Sequence, residues 1–145
     1  MLRPGPGGIE VLLVHPGGPF WKRRDEGAWS IPKGEIEPGE EPIDVARREF
    51  QEELGLPAPD GDVTPLGSVK QAGGKVVHAW AVRSDVDVSR VRSVMFDLEW
   101  PPRSGEKVAF PEVDRAEWFA LPAARHKVVR GQVPILDTLA ERLGE

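Results

Sequence analysis

Twenty-three residues, Gly34 to Leu56 (GEIEPGEEPIDVARREFQEELGL), constrain this chain more than all the others. Five residues lie between Gly34 and Glu40, and seven between Glu40 and the Arg48-Glu49 pair. Pro42 suits the first turn of a helix, where its missing N–H is no loss and its φ is preset. Gly55 suits the position just past the helix end, and Pro57 prevents the helix from resuming. Between them Ile43, Ala46, Phe50 and Leu54 recur at spacings of three and four, which marks a buried face. At about 100° per residue, Glu49, Glu52 and Glu53 fall together on an adjoining face.

Three carboxylates on one face repel one another and weaken an isolated helix. Arg48 can pair with Glu52 one turn on, but one guanidinium does not neutralise three carboxylates. A hard divalent cation would, and all-oxygen ligands suit Mg²⁺ or Mn²⁺ rather than zinc or copper. Cysteine is absent, and His15, His78 and His126 lie scattered without metal-ligand spacing. The plainer reading is a solvated acidic face, the common fate of Glu-rich helices. Upstream, Trp29-Ser30-Ile31-Pro32-Lys33-Gly34 has the punctuation of a short strand ending in a tight turn. Gly34 would let the backbone approach a metal or phosphate, with its carbonyl oxygen as a candidate ligand. Glu40, just before the helix, is favoured by the helix dipole and placed to orient Arg48.

The complete spacing resembles the signature of the Nudix hydrolases, G-x5-E-x7-R-E-U-x-E-E-x-G-U with U a bulky aliphatic residue. Every fixed letter is in register; Phe50 at the first U is the one soft departure. The resemblance implies an α+β fold, an α/β/α sandwich with a mixed β-sheet. It also implies a Mg²⁺-dependent enzyme (Mn²⁺ as alternative) that cleaves a phosphoanhydride bond in a nucleoside diphosphate linked to another moiety. Glu49, Glu52 and Glu53 match the metal-binding positions, and Glu49 also matches one sometimes assigned to orienting or deprotonating water; Arg48 completes the catalytic set. The Trp-x-x-Pro-Lys-Gly run is similar to that of members acting on dinucleoside polyphosphates or diphosphoinositol polyphosphates, so dinucleoside polyphosphates lead. Nucleoside triphosphates are the runner-up, and a non-catalytic nucleotide-sensing module is the alternative of a different class. Sensors of this fold often lack signature carboxylates, whereas all three are present here.

Composition bounds the partners. With 145 residues one domain spanning 1–145 is expected. Zero cysteines exclude a disulfide framework and are compatible with a reducing cytoplasm, the expected location; no signal-peptide pattern is read at the start. A net charge of −5 argues against long nucleic acid, which needs clustered Lys and Arg. It does not argue against a small nucleotide or polyphosphate, whose charge a metal would balance. No apolar run approaches a membrane span, and a homodimer is left open.

The remaining chain reads as a strand at 9–15, a charged loop at 20–27, and a short strand at 28–32. A hairpin over 63–71 and 75–83 follows the helix, then a strand at 91–100 and a last short strand at 117–119. Helices are expected at 123–130 and 135–143. Loops at 16–27 and 100–113 are the expected walls of a pocket. Outside the signature the resemblance points to Glu112, six residues before Trp118, as a further metal ligand or base ahead of Glu106 and Glu99, with an exposed loop carboxylate as the equal alternative. Lys33 can meet a phosphate as a point charge. Trp21 and Trp29 present faces suited to a nucleobase, although packing is the commoner fate of Trp. Trp80 and Trp118 read as core, and the basic cluster Arg125, His126, Lys127 and Arg130 as a solvated helix face.

Overall fold

The structure is a computed structural model that describes residues 1–32, 39–70, 74 and 76–144. Its organising element is strand β2 (Gly8–Pro16), flanked by β1 (Leu2–Gly5) and β7 (Val113–Ala120) in an antiparallel sheet of order β1-β2-β7. Val11, Leu12, Leu13, Val14 and His15 are buried in succession. Successive side chains leave opposite faces of a strand, so an unbroken buried run means both faces are covered. Val11 and Leu13 enter one core and Leu12 and Val14 another.

The first core is closed by hairpin β3 (Thr64–Lys70)–β4 (Val76–Ala81) and by helices α2 (Leu121–Lys127) and α3 (Val133–Leu143). The second is closed by α1 (Pro42–Leu54) through Phe50 and Leu54. Helices therefore lie on both sides, as the α/β/α expectation requires. The named strand pairs are antiparallel; among the described residues parallel pairing is found in two isolated bridges, Leu2–Arg83, where Leu2 N–H donates to Val82 O and Ser84 N–H to Leu2 O, and Trp29–Val128. A second hairpin, β5 (Met95–Glu99)–β6 (Lys107–Pro111), pairs Phe96 with Phe110 and Leu98 with Val108.

Several expectations change: the strand expected at 91–100 narrows to Met95–Glu99, and the helix expected at 123–130 runs Leu121–Lys127. The Gly/Pro-rich lead forms β1, because Leu2 is buried between β2 and the strand end at Val82. The expected loop at 100–113 contains β6, whose residues are all exposed or half-buried and so lack a buried apolar alternation to announce a strand. The strand expected at 117–119 runs the length of β7 because it pairs with β2 from Glu10–Ala120 to Pro16–Val113.

Helix α1 starts and stops as its sequence indicates. Pro42 opens it, and Gly55 caps it in the left-handed region (φ 65°) with its N–H on Gln51 O at 2.8 Å. A side chain at Gly55 would also lie 2.1 Å from Arg92 O, so two constraints select glycine. Val45, Phe50 and Leu54 are its buried positions; Ile43 and Ala46, expected in the buried face, are half-buried. Each fully buried large side chain contributes about 1.5–3 kcal/mol, and this is what holds the acidic helix down.

Candidate active site

With its apolar face turned inward, α1 presents Glu49 (21% exposed), half-buried Glu53 and exposed Glu52 on the other side. Arg48 Nη1 donates to Glu40 at 2.6 Å, and Nη2 stands 3.7 Å from Glu49. The pairing of Arg48 with Glu52 expected from helix spacing is replaced by these two partners, since the segment preceding the helix brings Glu40 within reach. Glu40 thus orients Arg48, as anticipated. Burial and the charge of Glu52 push the Glu49 carboxyl above the ordinary carboxylate range; Arg48 opposes the rise and Glu112 adds to it.

Glu112 reaches this neighbourhood through backbone bonds. Its N–H donates to Val94 O at 2.9 Å, and its carbonyl accepts from Gly17 N–H at 2.9 Å. Val94 N–H donates to Glu52 O at 3.3 Å, and Arg92 N–H to Leu54 O at 2.8 Å. The last turn of α1, the 92–94 segment, Glu112 and the root of the 17–27 loop are therefore laced together. A side chain on Gly17 would lie 1.8 Å from Pro111 O, so only glycine fits that crossing. Glu99 sits at the opposite end of hairpin β5–β6, where its carboxylate accepts from Gly105 N–H, and Glu106 is beside it. Of the three acidic candidates outside the signature, Glu112 is the one whose charge Glu49 senses.

Lys33 and Gly34 lie outside the described residues. Trp21 is 37% exposed, with the Arg24 guanidinium 5.4 Å from its ring. Trp29 corrects the stacking expectation: at 1% exposure it belongs to the core, with its indole N–H on Asp25 and its ring edge-on to Phe119 at 4.9 Å. Phe20, 61% exposed, meets Trp100 edge-on at 5.4 Å, so the two expected wall loops touch. Trp80 and Trp118 are half-buried, with Trp118 packed against the second core as expected, and Lys127 bonds Asp25 rather than standing free on its helix.

His15, one of three histidines scattered along the sequence, has a defined place in the fold. It is fully buried, with Nδ1 2.7 Å from an Asp114 carboxylate oxygen and Nε2 2.6 Å from Arg24 O. An ionisable residue inside a strand otherwise made of Val and Leu was the available signal.

Among the described residues no three histidine or acidic side chains stand close enough to form a ready-made metal cage. The donor chemistry nevertheless fits a hard divalent cation: oxygen ligands only, on one helix face, with Glu49 pushed up by burial and by two other carboxylates. An apolar cavity of about 110 Å³ lies elsewhere, bordered by Ile43, Ala46, Phe50, Trp80 and Leu139. None of the signature carboxylates borders it, and it is small against the roughly 300–1,000 Å³ of ordinary ligand pockets.

Comparison with known proteins agrees with this architecture. A family model described as NUDIX domain matches residues 2–139. An RNA pyrophosphohydrolase of Halorhodospira halophila is 31% identical over 118 residues, 68% of this chain and 57% of that protein. The chain spans between 28% and 57% of the length of the curated relatives it matches. A C. elegans Ap4A hydrolase binary complex superposes with a TM-score of 0.61 at 21% identity, covering 99% of this chain and 93% of the other. The NUDIX domain of Shewanella oneidensis NrtR, complexed with ADP ribose, gives 0.64 at 17% identity over 98% and 82%. These two share the fold. No described helix is long and apolar enough to cross a membrane.

Proposed function

Because the chain belongs to the Nudix family, we propose that it is a metal-dependent hydrolase of a phosphoanhydride bond in a nucleoside diphosphate linked to another moiety. Dinucleoside polyphosphates lead as substrates. The observation that carries this reading is the acidic face of α1, with Glu49 held above the ordinary carboxylate range beside Glu52 and Glu112.

Glu49, Glu52 and Glu53 would hold the divalent cation, with Gly34 and Glu112 as further ligands. When bound, that ion offsets phosphate charge and acidifies water. The chain's own residues do the rest. Arg48, tied to Glu40, keeps Glu49 oriented. Glu49 accepts a proton as the water oxygen bonds to phosphorus and the bridging P–O bond breaks. Lys33 meets the phosphate charge, and Trp21 offers an exposed ring for a base. No covalent intermediate is invoked.

The test is product analysis with Mg²⁺ against diadenosine polyphosphates, nucleoside triphosphates, ADP-ribose, nucleotide sugars and a diphosphoinositol polyphosphate. An RNA joins the panel because relatives are named RNA pyrophosphohydrolase. Cleavage of one class, lost in Glu53→Gln, supports the reading and names the substrate. Tight nucleotide binding with no turnover anywhere would replace it with a sensor.

A further inference from the structure

One polar side chain buried among apolar ones has no part in the proposed chemistry. Gln132, at 0% exposure, ends the short 3₁₀ turn Arg130–Gln132 that leads into α3, and core residues Ile135 and Leu136 follow it. A buried amide persists where it is hydrogen-bonded. Its Oε1 accepts from Ile31 N–H at 2.9 Å, and its Nε2 donates to Ser30 Oγ at 3.0 Å. Ser30 Oγ in turn donates to Ile31 O at 2.7 Å. A backbone N–H only donates, so the amide oxygen is the atom that faces it.

The ladder that these bonds continue shows what they do. Residues 27–31 run between β2 and the chain at the end of α2. On the β2 side, Ser30 and Val14 exchange backbone bonds of 2.9 and 2.8 Å. On the other side Trp29 N–H donates to Lys127 O and Val129 N–H to Trp29 O, the parallel pairing of Trp29 with Val128. The next two rungs of a parallel ladder would run from Ile31 N–H to Val129 O and from Gly131 N–H to Ile31 O. The chain turns instead, and Val129 O accepts from Gln132 N–H at 2.9 Å. The Gln132 carboxamide takes the Ile31 N–H, and the Ser30 hydroxyl takes the Ile31 carbonyl. Two side chains thus supply the last rungs where the backbone departs. A residue before proline is held to extended backbone, and the ring of Pro32 fixes its own φ. With Ile31 bonded through both its N–H and its C=O, ψ of Pro32 is the one soft torsion left before the peptide to Lys33. The orientation that Gln132 imposes on Ile31 is therefore passed stiffly toward the signature, which starts three residues on at Gly34.

We propose that Gln132 is a positioning residue for the hydrolase site: with Ser30 it fixes the direction in which the chain leaves Ile31 and enters the signature. The link to turnover rests on the hydrolase reading; the tether itself does not. It follows that the start of α3 and the entry to the signature, 101 positions apart at Gln132 and Ile31, move together.

Three measurements on the full chain test this. Without metal, Ile31 N–H in the wild type should exchange with solvent about 10²-fold more slowly than an unbonded amide. Exchange at the unbonded rate would overturn the tether, with no variant needed. Gln132→Met fills a similar volume without an acceptor and should quicken that exchange about tenfold, whereas Gln132→Glu keeps an acceptor and should restore most of the protection. The Gly34 amide resonance should shift in Gln132→Met and stay in place in Leu136→Ala, a core substitution on α3 that serves as the stability control. Unchanged exchange in Gln132→Met, or a Gly34 resonance that does not move, would overturn the proposal. In turnover, Gln132→Met should lower kcat about 10²-fold with KM within about threefold of the wild type, as for misplaced reacting groups. Leu136→Ala should lose stability yet keep kcat per folded molecule; an equal kcat loss in both would reduce Gln132 to a structural role. The first two measurements need no hydrolysis, so an inactive wild type would sink the hydrolase reading and still leave the tether decided.

Discussion

The two faces of α1 are built from one thirteen-residue helix and obey opposite physics. Phe50 and Leu54 are there for what they remove from water; Glu49, Glu52 and Glu53 are there in spite of what they do to one another. On the inner face, stability and structure agree. On the outer face, repulsion is tolerated, and a tolerated cost of this kind is where function is expected. The arrangement works because the inner face supplies more than the outer face loses.

Substitutions that separate the two faces sharpen this contrast. The largest effect is expected on the outer one: Glu52→Gln and Glu53→Gln should lower turnover about 10³-fold, or about 4 kcal/mol in barrier, with the unfolding midpoint retained. Unchanged turnover in both would remove these residues from the mechanism. Leu54→Ala should do the reverse, costing about 3 kcal/mol of stability in a denaturant titration while the remaining folded fraction keeps its specific activity. Gly55→Ala should cost about 2 kcal/mol, since the left-handed φ and the Arg92 carbonyl both oppose a β-carbon. A neutral result would mean the helix end can move away from the 92–94 segment.

The smallest effect has the most informative sign. Glu49 has its folded-state proton affinity raised, so its ionised form is disfavoured in the folded protein. The margin it provides is complete below the unfolded value of about 4.3 and is lost as pH rises through the higher folded value. Glu49→Gln without metal should therefore melt about 1–3 °C higher than the wild type near neutrality, and this gain should vanish below about pH 4. Adding Mg²⁺ should reverse the order, because only the wild type keeps the ligand. A variant that melts lower than the wild type at neutral pH without metal would show that Glu49 is structural.

Legibility in the sequence divides along the same line. Helix α1 could be read from Pro42 to Gly55 because its caps and its apolar period are local properties. Hairpin β3–β4 could be read because Val77, Ala79 and Ala81 alternate inward. Hairpin β5–β6 buries none of its residues, so β6 gave no alternation to find. The shared face of Glu49, Glu52 and Glu53 was legible from helical spacing, while Glu112 was reached only through the resemblance. The Arg48–Glu40 pair, eight residues apart, was legible too, whereas the Glu112 crossing and the His15–Asp114 contact, 99 positions apart, depend on segments distant in the chain. Trp29 was misread for a related reason: its residue type suits stacking, but only the packing of Phe119 and Asp25 around it shows that neither face is free.

One backbone bond has a consequence for how such a chain can vary. Glu112 N–H meets Val94 O, so hairpin β5–β6 leaves and re-enters the body of the protein at a single crossing, and Val94 is itself fastened to Glu52. Residues 95–111 are therefore an excursion whose two ends meet at one point, with further contacts from Trp100 to Phe20. Lengthening such an excursion costs little, about 0.6 kcal/mol per doubling for a flexible segment, and the crossing shields the carboxylates from the change. A change in the length of the wall that Trp100 contributes would therefore leave the fastening of Val94 to Glu52 and Glu112 in place.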